Sequence, residues 1–235
     1  MPVISFVSSK GGAGKTTSAI ILGTALARKH SVTMIDADEN LVLNAWANQS
    51  PEVIEHIDVW AQGDEFAIHD TISRARDNSE YVIVDTKGTV SRLNAFIIGE
   101  SDLVILTTGE DFAEAKEMLK TANDIRLEGR AMRRHIPIMG LFTRVRSGNK
   151  SILARETNTE VRESLDCFDV EIPFLTAYAC LHRDGGTVWD YPKGTMANVD
   201  TAIEVAELFA LNVKAALDWL SNEDDEDTEE DRNYG

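Results

Sequence analysis

The strongest chemical signal in the chain is Ser9-Lys10-Gly11-Gly12-Ala13-Gly14-Lys15-Thr16-Thr17, set between an apolar run and a helical pattern. Glycines let backbone N–H groups turn inward around a polyphosphate without a Cβ clash, and the following helix adds its positive dipole end. Lys15 supplies a mobile point charge for β- and γ-phosphates, and the Thr16 hydroxyl is placed to ligate Mg²⁺. The general pattern has glycine at position 9; here Ser9 stands there, offset by Lys10 and the Gly11-Gly12 pair. A plain strand–helix turn needs neither two lysines nor paired threonines. The ligand these residues fit is ATP with Mg²⁺, along residues 10–17.

Three acids follow apolar runs that read as strands. Asp36 and Asp38 come after residues 31–35, and Asp85 after residues 81–84. In an open parallel sheet, ligands bind outside the carboxyl ends of the strands, so these carboxylates converge on the edge that carries the glycine-rich loop. Asp85 is the expected Mg²⁺ holder through a water, Asp38 orients the attacking water, and Asp36 supports the metal shell. A lone aspartate after a strand is otherwise a turn or cap residue.

The elements that must position these groups alternate. Residues 3–7, 31–35, 57–60, 81–84, 103–106 and 136–142 read as strands, residues 16–29 as a helix, and Asp111 as a helix N-cap. The pattern predicts an α/β fold: a doubly wound, mostly parallel sheet covered on both faces, in a single domain over residues 1–221. Residues 196–220 read as an amphipathic helix with Val199, Ile203, Ala206, Val213 and Leu217 on or near one face. The acids Asp200, Glu204, Glu207 and Asp218 face only Lys214, which favours core packing over binding to anionic lipid. Residues 222–235, with eight acids between Glu223 and Asp231, read as a disordered tail.

The loop Lys10-Gly11-Gly12-Ala13-Gly14-Lys15-Thr16-Thr17 is the deviant Walker A motif of the ParA/MinD ATPases, and the chain resembles that P-loop family from about residue 2 to 215. Asp36-Ala37-Asp38-Glu39-Asn40 is similar to their first switch, often Asp-x-Asp-Pro-Gln, and Val82-Ile83-Val84-Asp85-Thr86 to their Walker B strand and second switch. The resemblance implies an ATP-induced sandwich homodimer in which Lys10 reaches the partner subunit's nucleotide. It also implies that Thr143, Arg144, Pro173 and Phe174 flank the adenine, although a plain turn explains Pro173 equally well. Two departures stand out. Glu39-Asn40 replaces Pro-Gln, and Thr86-Lys87-Gly88 replaces the commoner Thr-Pro-Gly; a lysine there can pair with an acid or bias the second switch. The stretch through Thr89, with Arg92-Leu93-Asn94, resembles plasmid-borne members, including the VirC1 type that serves DNA transfer. No helix-turn-helix precedes the P-loop, which matches the small ParA type.

The net charge of −17 argues at first against nucleic acid, but its distribution matters more. Between residues 126 and 155, eight bases (Arg126, Arg130, Arg133, Arg134, Arg144, Arg146, Lys150 and Arg155) stand against Glu128. Such a stretch is either a solvated face or a phosphate-binding surface. Arg144, Arg146, Lys150 and Arg155 are the candidate contacts to nonspecific DNA. The resemblance implies slow hydrolysis stimulated by a ParB-like or other adaptor. The competing readings are a MinD-like positioning ATPase, a VirC1-like DNA-transfer accessory ATPase, a metabolic P-loop enzyme, an iron–sulfur ATPase, and a nucleotide-gated scaffold with negligible turnover. Cys167 and Cys180 fit reduced thiols of a cytoplasmic protein, nucleoid-associated when ATP-bound; neither a signal peptide nor a membrane span is expected.

Overall fold

The computed structural model describes all residues except 9, 51–55, 89, 90, 149, 193–196, 234 and 235, and side chains through residue 222. Ser9 and Thr89 of the quoted motifs therefore lie outside the described residues. In chain order the elements are β1 Val3–Val7, α1 Lys15–Ala27, β2 Val32–Asp36, α2 Val42–Gln49, β3 Ile57–Ala61, α3 Ile68–Asn78 and β4 Tyr81–Asp85. There follow α4 Arg92–Glu100, β5 Leu103–Thr108, α5 Phe112–Met132, β6 Ile138–Val145, α6 Ile152–Ser164, β7 Ile172–Pro173, α7 Thr176–Asp184 and α8 Val199–Asn233.

Among the described residues the sheet has seven strands in the order β3-β2-β4-β1-β5-β6-β7, and every strand pair is parallel. The expectation of a mostly parallel sheet is met in full. Parallel strands covered on both faces need apolar side chains on both, and β1 is buried along its whole length. Ile4 and Phe6 join the cluster under α1, α2, α7 and α8, while Val7 joins the one under α5 and α6 and Val3 the one under α3. The chain winds to one side of β1 through β2, β3 and β4, then crosses to the other through β5, β6 and β7. The crevice at that reversal, outside the carboxyl ends of the strands, is where such sheets bind ligands.

The C-terminal helix packs as its periodicity predicts. Val199, Ala206, Val213 and Leu217 are buried in the largest cluster, with Ile203 partly buried against it. Leu208, Leu211 and Trp219 remain exposed on its outer side. α8 continues through residues 222–233, the segment read from sequence as a disordered tail. No described helix is long and apolar enough to cross a membrane.

Candidate nucleotide-binding site

The loop between β1 and α1 is built for an anion. Gly12 and Gly14 hold φ of +80° and +81°, a region that strains any residue with a Cβ. A Cβ on Gly14 would also sit 2.9 Å from Thr143 Oγ1. Gly14 is the N-cap of α1 and offers no side-chain cap, so the amides of the first turn are left for a ligand. Lys15 Nζ donates to Ser8 Oγ at 3.1 Å, and Ser8 Oγ donates to the Lys10 carbonyl at 2.8 Å. Burial pushes the Lys15 ammonium below its usual range, against the pull of Asp85 and Asp38. A polyphosphate would supply the counter-charge it lacks. The Lys10 side chain is exposed.

Beneath this loop, Thr16 Oγ1 donates to Asp85 Oδ2 at 2.6 Å. Asp85 is 1% exposed, and its other oxygen, Oδ1, is buried without a hydrogen-bond partner among the described residues. Burial pushes the carboxyl up to about 7, with the Thr16 hydrogen bond and Lys15 pulling the other way. A carboxylate with one orphaned oxygen beside a threonine hydroxyl fits a hard divalent cation that takes oxygen ligands. Asp36 is differently employed: Oδ1 accepts from the Asp38 amide at 3.2 Å and Oδ2 from the Asn44 amide at 2.8 Å. It ties the loop after β2 to the start of α2, with both carboxylate oxygens taken by backbone amides.

The two segments that resemble the family's switches leave neighbouring strands at one level, since Asp36 is the register partner of Asp85. Asp38 lines the cleft. Its Oδ1 accepts from the Asn40 amide at 2.9 Å and from Asn40 Nδ2 at 2.8 Å, which fixes its rotamer. The pairing foreseen for Lys87 is present: Lys87 Nζ meets Glu39 Oε1 at 2.5 Å. Gly88 lies against the P-loop, where a Cβ would stand 3.0 Å from the Gly11 nitrogen.

A cleft of about 520 Å³ brings together Gly11, Gly12, Gly14, Lys15, Thr16, Thr17, Asp38, Thr143, Arg144, Pro173 and Phe174. Ala13 is buried behind it. Thr143 Oγ1 lies 2.9 Å from the Ala13 carbonyl and 3.1 Å from that of Thr108, so its hydroxyl braces the loop from behind. Pro173 and the 69% exposed Phe174 form an apolar wall suited to a base. Sequence reasoning missed His182, whose Nε2 is hydrogen-bonded to Thr17 Oγ1 at 2.7 Å, and Tyr178 beside it. His182 comes from α7, 165 residues away in sequence, and no local pattern marks it.

The basic stretch is less free than its charge suggests. Arg144 holds φ of +55° at an irregularity in the β6–β7 pairing and meets Glu114 at 2.5 Å. Lys150 Nζ donates to Glu171 Oε2 at 2.7 Å. Arg144, Arg146 and Lys150 line a second cleft of about 630 Å³ next to the first, shared with Glu110, Asp111 and Glu114. Arg146 and Arg155 present exposed side chains. Four candidate DNA contacts thus resolve into two bases paired with acids and two exposed bases with no ion pair among the described residues. Cys167 and Cys180 are free thiols, and burial pushes Cys167 up to about 11.

The fold and cleft define a P-loop protein of the ParA/MinD type. A McdA variant from Cyanothece in an ATP complex matches with a TM-score of 0.67 at 17% identity, over 89% of this chain and 96% of that one. A chain of the Aquifex aeolicus MinC:MinD cell division complex matches with a TM-score of 0.69 at 16% identity, over 92% and 96%. At these identities the likeness speaks for the fold. Residues 1–220 match the model of the VirC1 protein family. The chain is also 36% identical over 219 residues to the protein ParA of Rhizobium radiobacter, covering 91% of this chain and 96% of that protein. The chain belongs to the VirC1 family.

Proposed function

We propose that this chain is a partition ATPase that binds ATP with Mg²⁺ in the cleft, closes into a sandwich homodimer, and in that state holds nonspecific DNA until an adaptor stimulates hydrolysis. The observation that carries the reading is the convergence of Lys15, Thr16 and Asp38 on one cleft at the glycine-rich loop, with Asp85 hydrogen-bonded to Thr16 beneath it. Mg²⁺ would be held by Thr16 and Asp85, and would supply charge neutralisation between the β- and γ-phosphates. Lys15 offsets charge developing on the γ-phosphate, and the exposed Lys10 does so from the facing subunit. Asp38, fixed through Asn40, orients the attacking water. Pro173 and Phe174 hold the base.

The DNA reading leans on Arg146 and Arg155, with Arg144 and Lys150 contributing once their acids are displaced. Its test is the fluorescence anisotropy of a nonspecific duplex with Asp38→Ala protein, in ATP and in ADP, across a salt series. Binding in ATP alone that weakens steeply with salt is the expected result. Absence of binding in both nucleotides, from protein shown to bind ATP, would make the basic stretch a solvated face. The VirC1 family match keeps a second reading beside plasmid partition, the VirC1-like DNA-transfer accessory ATPase that the sequence resemblance implies. A MinD-like membrane role is disfavoured by the acids that follow the exposed Leu211 and Trp219.

A further inference from the structure

The Glu39–Lys87 ion pair joins two loops that must act together. Glu39 follows Asp38, the candidate water-orienting residue, and Lys87 precedes Gly88, which packs on the P-loop backbone at Lys10 and Gly11. The backbones on either side are anchored independently. The Asn40 amide donates to Asp38 Oδ1 at 2.9 Å and the Leu41 amide to the Asp38 carbonyl at 3.0 Å. Thr86 Oγ1 donates to the Phe6 carbonyl at 2.8 Å, and Asn94 Nδ2 to the Lys87 carbonyl at 3.0 Å. Two anchored loops present opposite charges to one another, so forming the pair orders little backbone and costs mainly the rotamer freedom of the two side chains.

Neither position is a proline, so no ring fixes φ in either loop. The side chains are 35% exposed at Lys87 and 71% at Glu39, so salt weakens the pair, and it opens more readily than a buried bond. A restraint of that strength biases the loops without locking them.

We propose that the Glu39–Lys87 pair is a releasable clasp that holds the Asp38 loop against the P-loop and so positions Asp38 for turnover. Glu39 and Lys87 act through Asp38 and Gly88; they are positioning residues. The proposal rests on the reading of the cleft as an ATP-hydrolysing site.

The test uses the full chain as E39K, K87E and the swapped double variant E39K/K87E. Hydrogen exchange without nucleotide reads the clasp itself. Each single variant should speed exchange in peptides covering residues 37–44 and 84–88, and the swap should restore protection. ATP affinity and turnover read its effect. Each single should lower kcat about two- to fivefold, the range open to an exposed ion pair, with a smaller change in ATP Kd, and the swap should recover most of the loss. In 1 M salt the wild type should converge on the singles. A swap no better protected than the singles would overturn the clasp. Restored protection without any change in kcat among the four proteins would overturn its positioning role. A wild type that bound ATP without hydrolysing it would sink the proposed function, while the exchange measurement would still decide the clasp.

Discussion

Thr16 Oγ1 donates to Asp85 Oδ2 at 2.6 Å, a contact that joins the first turn of α1 to the end of β4 across 69 residues of sequence. The contact aligns the two groups expected to hold the cation and leaves Asp85 Oδ1 without a partner among the described residues. Thr16→Ala should weaken ATP binding more than about tenfold in Mg²⁺, the scale of a hydrogen bond to a charged group. Binding in EDTA should change much less. Calorimetric titration in both buffers checks this; equal losses would assign Thr16 to the phosphates rather than the metal.

Gly14 carries two constraints at once, a φ of +81° and a Cβ site 2.9 Å from Thr143 Oγ1. Gly14→Ala should lose about 1–3 kcal/mol of stability through the strained backbone alone. It should lose ATP binding too, because Thr143 would have to move off the Ala13 and Thr108 carbonyls. Thermal denaturation and a nucleotide titration measure the two effects.

His182 gives the site a pH dependence. Burial holds its imidazole below the ordinary value of 6.5. As pH falls the unfolded chain takes up the proton first, so this group's contribution to stability is present above about 6.5 and fades below it. His182→Gln should flatten the fall in unfolding free energy between pH 7 and pH 5, read from urea titrations. Parallel curves for variant and wild type would place the acid sensitivity elsewhere.

The basic stretch yields a graded prediction. Arg146→Ala and Arg155→Ala should each reduce the slope of log K against log salt for DNA by up to about 0.9, without loss of fold. Arg144→Ala and Lys150→Ala strand Glu114 and Glu171, which are partly buried, so these variants should lower the melting temperature as well as DNA affinity. Equal effects on stability from all four would argue against the division into paired and exposed bases.

Much of this was legible in the sequence because it is local. The run from Lys10 to Thr17 is a contiguous motif, and Asp36, Asp38 and Asp85 follow apolar strands whose parallel pairing brings them to one edge. The contacts that complete the cleft are long-range. His182 reaches Thr17 from α7, and Thr143 braces Ala13 from β6; neither leaves a periodic trace. The two-residue β7 was invisible for its length. Composition showed the bases of residues 126–155 but not their partners Glu114 and Glu171, since pairing depends on the β6–β7 geometry rather than on charge counts.

The account rests on Lys15 binding ATP and Asp38 directing water to it. ATP affinity and turnover measured side by side for wild type, Lys15→Ala and Asp38→Ala test that most directly. The account predicts slow hydrolysis by the wild type, loss of nucleotide binding in Lys15→Ala, and wild-type affinity with turnover lowered at least about tenfold in Asp38→Ala. Turnover at the wild-type rate in Asp38→Ala, or unchanged affinity in Lys15→Ala, would contradict it.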